Sequence, residues 1–291
     1  AFKHSVRNDG LTEASYPRTT RGVIPSFSIY YIGMLYDHMM YFGDRAFLKD
    51  HMGVMDGVLR FFERNLGEDG LVGKIGGPQF NIGRYWSFID WTPQWQEDGG
   101  VPAATHKGSL TMESLLYLLG LQYAAAIADF VGRDGMGREY RERGEALKAA
   151  IWAHCIGKDG LLQDGPGVED YSSHCQVFAI LTGVVTPEEG ARLLNIVLGD
   201  KERYAPCSVA MSWYLFRALE ITGRYERMDA EWEVWRKMLQ NHCTTCVEDP
   251  VTSRSECHGW GAAALYELPA AVLGVKPAAP GFEKVKIRPA C

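Results

Sequence analysis

The sequence predicts an all-α protein arranged as an α/α toroid, on three observations. Helices that are apolar on nearly every face alternate with helices that carry one apolar stripe. Links inside each pair are short and links between pairs are long. The chain, 291 residues with 46% hydrophobic and 12% aromatic content, is also long enough to fill one sizeable core.

Taken in order, residues Ala1 to Pro25 are polar and proline-bearing and read as loop. Ser26 to Tyr41 (SFSIYYIGMLYDHMMY) is apolar on nearly every face and reads as a helix buried all round. Its successor places Leu48, Met52, Met55, Leu59 and Phe62 at three- and four-residue steps, with charges opposite. The pair then repeats. Leu110 to Val131 is apolar almost all round, and Met136, Tyr140, Leu147 and Ile151 trace a single face. Ser172 to Thr182 and Pro187 to Leu198 make a shorter pair. Ser208 to Thr222 is mostly apolar, and Tyr225, Met228, Trp232, Trp235 and Leu239 form the most regular stripe in the chain. Gly259 to Val272 reads as a last buried helix. PGFEKVKIRP then alternates like a strand, the first of a β domain. The expected organisation is therefore a toroid over residues 1–274 and the start of a β domain over 275–291.

Links from inner to outer helix are short: Gly43-Asp44, Gly132 to Gly135, Gly183 to Thr186 and Gly223-Arg224. Links from outer to inner helix are mostly long: Gly67 to Lys107, Gly157 to Tyr171 and Gln240 to His258. In an up-down array the long links must emerge on one face, and loops gathered at the mouth of a barrel are a common way to build a binding site. About nine helices are visible where a closed ring of six pairs needs more. The toroid is thus expected to be incomplete at its N-terminal side.

Composition narrows the function. The net charge of −6, with no block of like charge, argues against nucleic-acid binding. No apolar run approaches the ~18 residues of a membrane span, and no signal-peptide pattern opens the chain. Seven scattered cysteines do not read as a paired framework. A reducing cytoplasm accounts for them most simply, with the periplasm left open.

Two loops concentrate chemistry. Tyr85 to Pro102 (YWSFIDWTPQWQEDGGVP) holds Trp86, Trp91 and Trp95 with Asp90, Glu97 and Asp98. His242 to Trp260 (HCTTCVEDPVTSRSECHGW) holds Glu248, Asp249, Arg254, Glu256, His258 and Trp260. Indole faces pack against the C–H faces of sugar rings while carboxylates hydrogen-bond hydroxyls, so this inventory fits a carbohydrate better than an apolar ligand. Cys243-x-x-Cys246 with Cys257-His258 superficially suggests zinc, but an adjacent Cys and His rarely both reach one metal, and the loop is long and rich in carboxylates. No metal or cofactor is expected.

At these residues the chain resembles the catalytic domain of α-L-rhamnosidases of glycoside hydrolase family seventy-eight, particularly a bacterial branch. The matching stretches are YPRTTRGVIPSFSIYYIGMLYDHMMYFGD, WSFIDW followed by GGVP, TTCVEDPVTSRSECHGW, and GVKPAAPGFEKVKIRP. The resemblance implies an (α/α)6 six-hairpin glycosidase barrel followed by a β-sandwich, and removal of terminal α-L-rhamnose from glycosides or glycans with inversion. It implies that Glu248, in Thr244-Thr245-x-x-Glu248, is the general base, and that His258 and the pair Asp90-Trp91 contact the sugar. Trp86, Trp95, Glu97 and Trp260 match less securely. Cys246-Val247 stands where many members have Ile-Trp. The family's upstream Asp-Cys-Pro motif, which carries the general acid, is absent from these residues, so the acid is expected outside this chain and the chain alone is expected to be nearly inert. Other six-hairpin glycosidases, polysaccharide lyases and non-catalytic carbohydrate-binding relatives share the toroid and remain alternatives.

Overall fold

Each expected inner helix begins at a loop and ends on a glycine, and the backbone shows why. The computed structural model describes residues 1–17, 22–78, 85–249 and 255–289. In it, Gly43, Gly132, Gly183 and Gly223 all have positive φ, between 64° and 79°. A left-handed residue just past a helix reverses the chain at no steric cost to glycine, so each inner helix folds straight back onto its outer partner. The outer helices start on side-chain caps where the sequence supplies them. Asp44 accepts from the amide of Phe47 at 2.9 Å, and Thr186 and Glu189 form a reciprocal capping box ahead of Pro187.

The chain divides into two compact units, Ala1–Tyr171 with Ala279–Glu283, and Ser172–Ala278 with Lys284–Cys291. In the first, α1 (Pro25–Phe42) pairs with α2 (Arg45–Glu63), and α3 (Thr111–Phe130) pairs with α4 (Asp134–Cys155). α3 is buried on almost every face over its first five turns, as its composition requires. Gly120 lets it approach its neighbours, because a Cβ there would lie 3.0 Å from Ile29 Cδ1 of α1. Tyr36 stacks on Tyr123 at 4.6 Å, and Phe62 on Tyr117 at 5.5 Å. Arg143 of α4 donates to the Tyr117 hydroxyl at 2.5 Å and to the Leu59 carbonyl at 3.2 Å. α1 departs from expectation: Met34 and Phe42 are 57% and 73% exposed, so it is not buried all round.

In the second unit, α5 (Ser173–Leu181) pairs with α6 (Pro187–Gly199). α7 (Ser212–Ile221) starts later than the apolar run suggests: the Ser208 hydroxyl accepts from the Ala210 amide at 3.2 Å, a local side-chain bond that competes with helix formation. The stripe from Tyr225 to Leu239 is not one helix. A 3₁₀ turn, Tyr225–Arg227, leads into α8 (Met228–Glu231) and then α9 (Glu233–Gln240), and Leu239 is 74% exposed. The expected last buried helix is likewise broken into a 3₁₀ turn Gly259–Ala262, α10 (Ala263–Glu267) and a π turn Leu268–Val272. Pro269 removes a backbone donor there, and Leu265, Leu268 and Leu273 are exposed.

A buried ion pair joins α7 to α10. Arg217 Nη1 donates to Glu267 Oε1 at 2.5 Å, and its guanidinium lies 3.7 Å over the Trp213 ring. The alternating C-terminal segment is the second strand of a hairpin. β1 (Val275–Pro277) pairs antiparallel with β2 (Val285–Ile287), Val275 opposite Ile287. β1 has only three residues and ends in proline, too short for alternation to reveal. No helix among the described residues is long and apolar enough to cross a membrane.

Candidate functional site

In the first unit the loop after α2 returns across the N-terminal ends of α1 and α3. Ser26 Oγ in the first turn of α1 donates to the Phe88 carbonyl at 3.1 Å, and the Trp86 amide donates to the Val23 carbonyl at 3.0 Å. The loop 156–172 meets it at the same end: the Thr111 amide donates to the Asp164 carbonyl at 3.0 Å, and Gly165 packs on Ala104 and Ser109. The two long links of this unit thus gather at one face, as the up-down alternation requires.

This anchoring sets out a cluster of rings. Trp86 lies 4.9 Å from Phe88 and 6.1 Å from Trp91, and Phe88 lies 5.3 Å from Trp91. Trp86 and Trp91 are half-buried. Trp86 Nε1 donates to the Gly99 carbonyl at 3.0 Å, which fixes the ring plane. Asp90 is 1% exposed, and its amide is held by the Gly100 carbonyl at 3.2 Å. Only glycine fits at position 100, where φ is 76° and a Cβ would lie 2.4 Å from the Phe88 ring. Trp95 is buried beneath the loop, its carbonyl accepting from the Gly100 amide at 2.8 Å, whereas Glu97 is exposed on the following turn. The structure therefore groups Trp86 and Trp91 with Phe88, buries Asp90 and Trp95, and leaves Glu97 exposed.

In the second unit Glu248 sits on one limb of an irregular hairpin. Its amide donates to the Ser255 carbonyl at 3.3 Å, and the His258 amide donates to the Cys246 carbonyl at 2.8 Å. The Thr245 hydroxyl also bonds the Glu256 carbonyl across the limbs. Val247 is buried, which anchors the backbone just before Glu248, whose side chain is 14% exposed. Glu248 Oε2 lies 3.8 Å from His258 Nδ1, and the His258 ring meets Trp260 edge to face at 5.4 Å. Glu248, His258 and Trp260 are thus brought together. Arg254 lies outside the described residues.

The same fold is found in known proteins. Residues 4–272 match the bacterial alpha-L-rhamnosidase six-hairpin glycosidase domain. The chain belongs to this family. Among solved structures, a family GH78 rhamnosidase of Bacillus sp. GL1 superposes with a TM-score of 0.81 at 24% identity, over 96% of this chain and 30% of that one. A rhamnosidase from Klebsiella oxytoca with rhamnose bound gives 0.71 at 18% identity, over 90% and 51%. A Streptomyces avermitilis α-L-rhamnosidase complexed with L-rhamnose gives 0.72 at 17%, over 99% and 27%. The chain therefore spans about a quarter to a half of the length of these rhamnosidases. Among curated protein sequences there is no match.

Two features of this rhamnosidase-family chain were not visible in the sequence as site components. Glu113, in the first turn of α3, is fully buried, and its Oε1 accepts from Ser87 Oγ at 2.7 Å, beneath the Trp86 and Phe88 segment. Burial pushes its carboxyl up to about 7 against the opposing pull of the Ser87 bond. An acidic residue in a first helical turn reads as a dipole partner, and only long-range packing reveals the desolvation. Ser255, with φ of 52°, bonds His258, and no sequence signal marks it. Among the described residues no group of three or more His, Cys, Asp or Glu is placed to hold a metal ion.

Proposed function

We propose that this chain forms part of an α-L-rhamnosidase that removes terminal α-L-rhamnose from glycosides or glycans by an inverting displacement. The observation that carries the reading is the family match over residues 4–272. The rhamnose bound in the Klebsiella and Streptomyces relatives supports the sugar class. Glu248 is the general base: rooted by buried Val247, it accepts the proton of a water that attacks the anomeric carbon from the face opposite the leaving oxygen. In such enzymes the base and the protonating acid stand ~6.5–9.5 Å apart, leaving room for that water. The acid is not assigned to any residue of this chain. Asp90 accepts from sugar hydroxyls, Trp86 and Trp91 cover C–H faces, and His258 and Trp260 contact the sugar beside the base, with Trp95 and Glu97 as further contacts.

The test separates the two carboxyl roles by choice of leaving group. In 2,4-dinitrophenyl α-L-rhamnoside the phenolate departs without protonation, so turnover depends on the base alone. The expected result is hydrolysis of this substrate, lost in Glu248→Gln, with β-L-rhamnose as the first product by NMR. The 4-methylphenyl glycoside needs an acid and should react far more slowly, by the ~10²–10⁴-fold that acid assistance supplies. Turnover of the activated substrate that survives Glu248→Gln would remove Glu248 as base. An α-configured first product would overturn inversion. Neither turnover nor L-rhamnose binding by the wild-type chain would overturn the assignment to this substrate.

A further inference from the structure

We propose that Ser255 is a positioning residue that holds the His258 imidazole in one tautomer against Glu248. This rests on the reading of Glu248 and His258 given above. Ser255 touches both partners at once. Its carbonyl accepts from the Glu248 amide at 3.3 Å, and its hydroxyl lies 3.0 Å from His258 Nδ1. To do this it adopts φ of 52°, a left-handed conformation that side chains other than Gly, Asn and Asp seldom take. Strain of this kind persists where the surroundings over-determine it. Glycine would make the same turn freely, so the hydroxyl is what the serine adds.

The geometry also selects the tautomer. Nδ1 faces two oxygens, Ser255 Oγ at 3.0 Å and Glu248 Oε2 at 3.8 Å. A lone pair on Nδ1 would point toward a carboxylate, whereas an N–H there can donate to the serine hydroxyl in the carboxylate's field. The proton therefore sits on Nδ1, and Nε2 is left as an acceptor for a sugar hydroxyl or water. Trp260, edge-on to the ring with an interplanar angle of 89°, restrains it from the side. Removing the hydroxyl leaves the ring free to turn and to return toward the Nε2–H form that free imidazole side chains prefer.

The experiment compares the ¹⁵N-histidine-labelled chain with Ser255→Gly and Ser255→Ala by long-range ¹H–¹⁵N correlation spectra, above the pH at which imidazole titrates. The His258 signals are assigned by their loss in His258→Gln. The wild-type chain should show the Nδ1–H pattern, and both variants should shift toward Nε2–H. L-Rhamnose affinity should fall about tenfold in both, the size expected for one lost hydrogen bond. Ser255→Gly relieves the strained φ and keeps the carbonyl, so a residue that only shapes the turn would leave its spectrum and affinity unchanged. An unchanged His258 pattern in Ser255→Gly overturns the proposal whatever the sugar result. A tautomer shift in a chain that binds no L-rhamnose would uphold the positioning and overturn the substrate reading instead.

Discussion

Replacing Gly261 with alanine adds one methyl group behind the Glu248 limb. A Cβ at position 261 would lie 2.8 Å from Cys246 Cβ and 2.9 Å from the Val247 carbonyl oxygen. Unstrained heavy atoms stand ~3.5–4.0 Å apart, so one side must move by more than half an ångström. Neither side yields freely. The Gly261 carbonyl accepts from the buried Trp235 Nε1 at 2.8 Å, and Val247 is 1% exposed. Overpacking of this kind costs about 1–3 kcal/mol, and breaking the Trp235 bond instead costs a similar ~1–3 kcal/mol. Gly261 is not among the glycines with positive φ, so the cost comes from contact rather than from backbone conformation.

Gly259, in the same 3₁₀ turn, provides the control. A Cβ there meets nothing within 4 Å, and Gly→Ala at a compatible site stabilises by ~0.4–1 kcal/mol through the unfolded chain. The assay is urea unfolding followed by tryptophan fluorescence, with L-rhamnose titration beside it. Gly261→Ala should unfold at lower urea and bind more weakly, because the displaced residues lead directly into Glu248, while Gly259→Ala should match or exceed the wild type. Equal midpoints and equal affinities for Gly261→Ala and wild type would refute the claim that this contact positions the carboxylate.

Two further perturbations test charges held inside the units. Arg217→Met should destabilise by about 3–5 kcal/mol, the usual cost of stranding one partner of a buried pair, because Glu267 is fully buried with its carboxyl already pushed up by burial. Adding Glu267→Gln should restore much of that loss in thermal unfolding, and a double variant no better than the single would contradict the pairing. Glu113 keeps its proton to a higher pH folded than unfolded, so its contribution is intact below the normal carboxylate range and is lost as pH rises through about 7. At ~1.4 kcal/mol per unit, that amounts to on the order of 3 kcal/mol. Unfolding measured from pH 5 to 8 should show this decline in the wild type and a flatter profile in Glu113→Gln; parallel profiles would place the titration elsewhere.

Patterns with short range were legible in the residues. The 3.6-residue spacing of Leu48, Met55, Leu59 and Phe62 gives a buried stripe on α2, and the glycines at 43, 132, 183 and 223 end inner helices in the left-handed conformation such turns require. Spacing alone does not mark where a helix breaks. The regular stripe from Tyr225 to Leu239 is divided among a 3₁₀ turn, α8 and α9; the apolar segment after Gly259 is divided among a 3₁₀ turn, α10 and a π turn, and is partly exposed. Periodicity records which side of a helix could be buried, not whether a neighbour is there to cover it.

The site divides along the same line. By itself the sequence determined the hairpin alternation, the two loops rich in tryptophan and carboxylate, and the resemblance that singled out Glu248, since these rest on residue identity and local spacing. Only the tertiary structure decided that Trp86, Phe88 and Trp91 form one ring cluster while Trp95 turns inward, that Ser87 meets a desolvated Glu113, and that Ser255 takes a left-handed φ to reach His258. Each depends on a contact between segments, or on a dihedral imposed by such contacts. The free energy of burial or strain at one residue is set by atoms from elsewhere in the chain, and no local pattern encodes it.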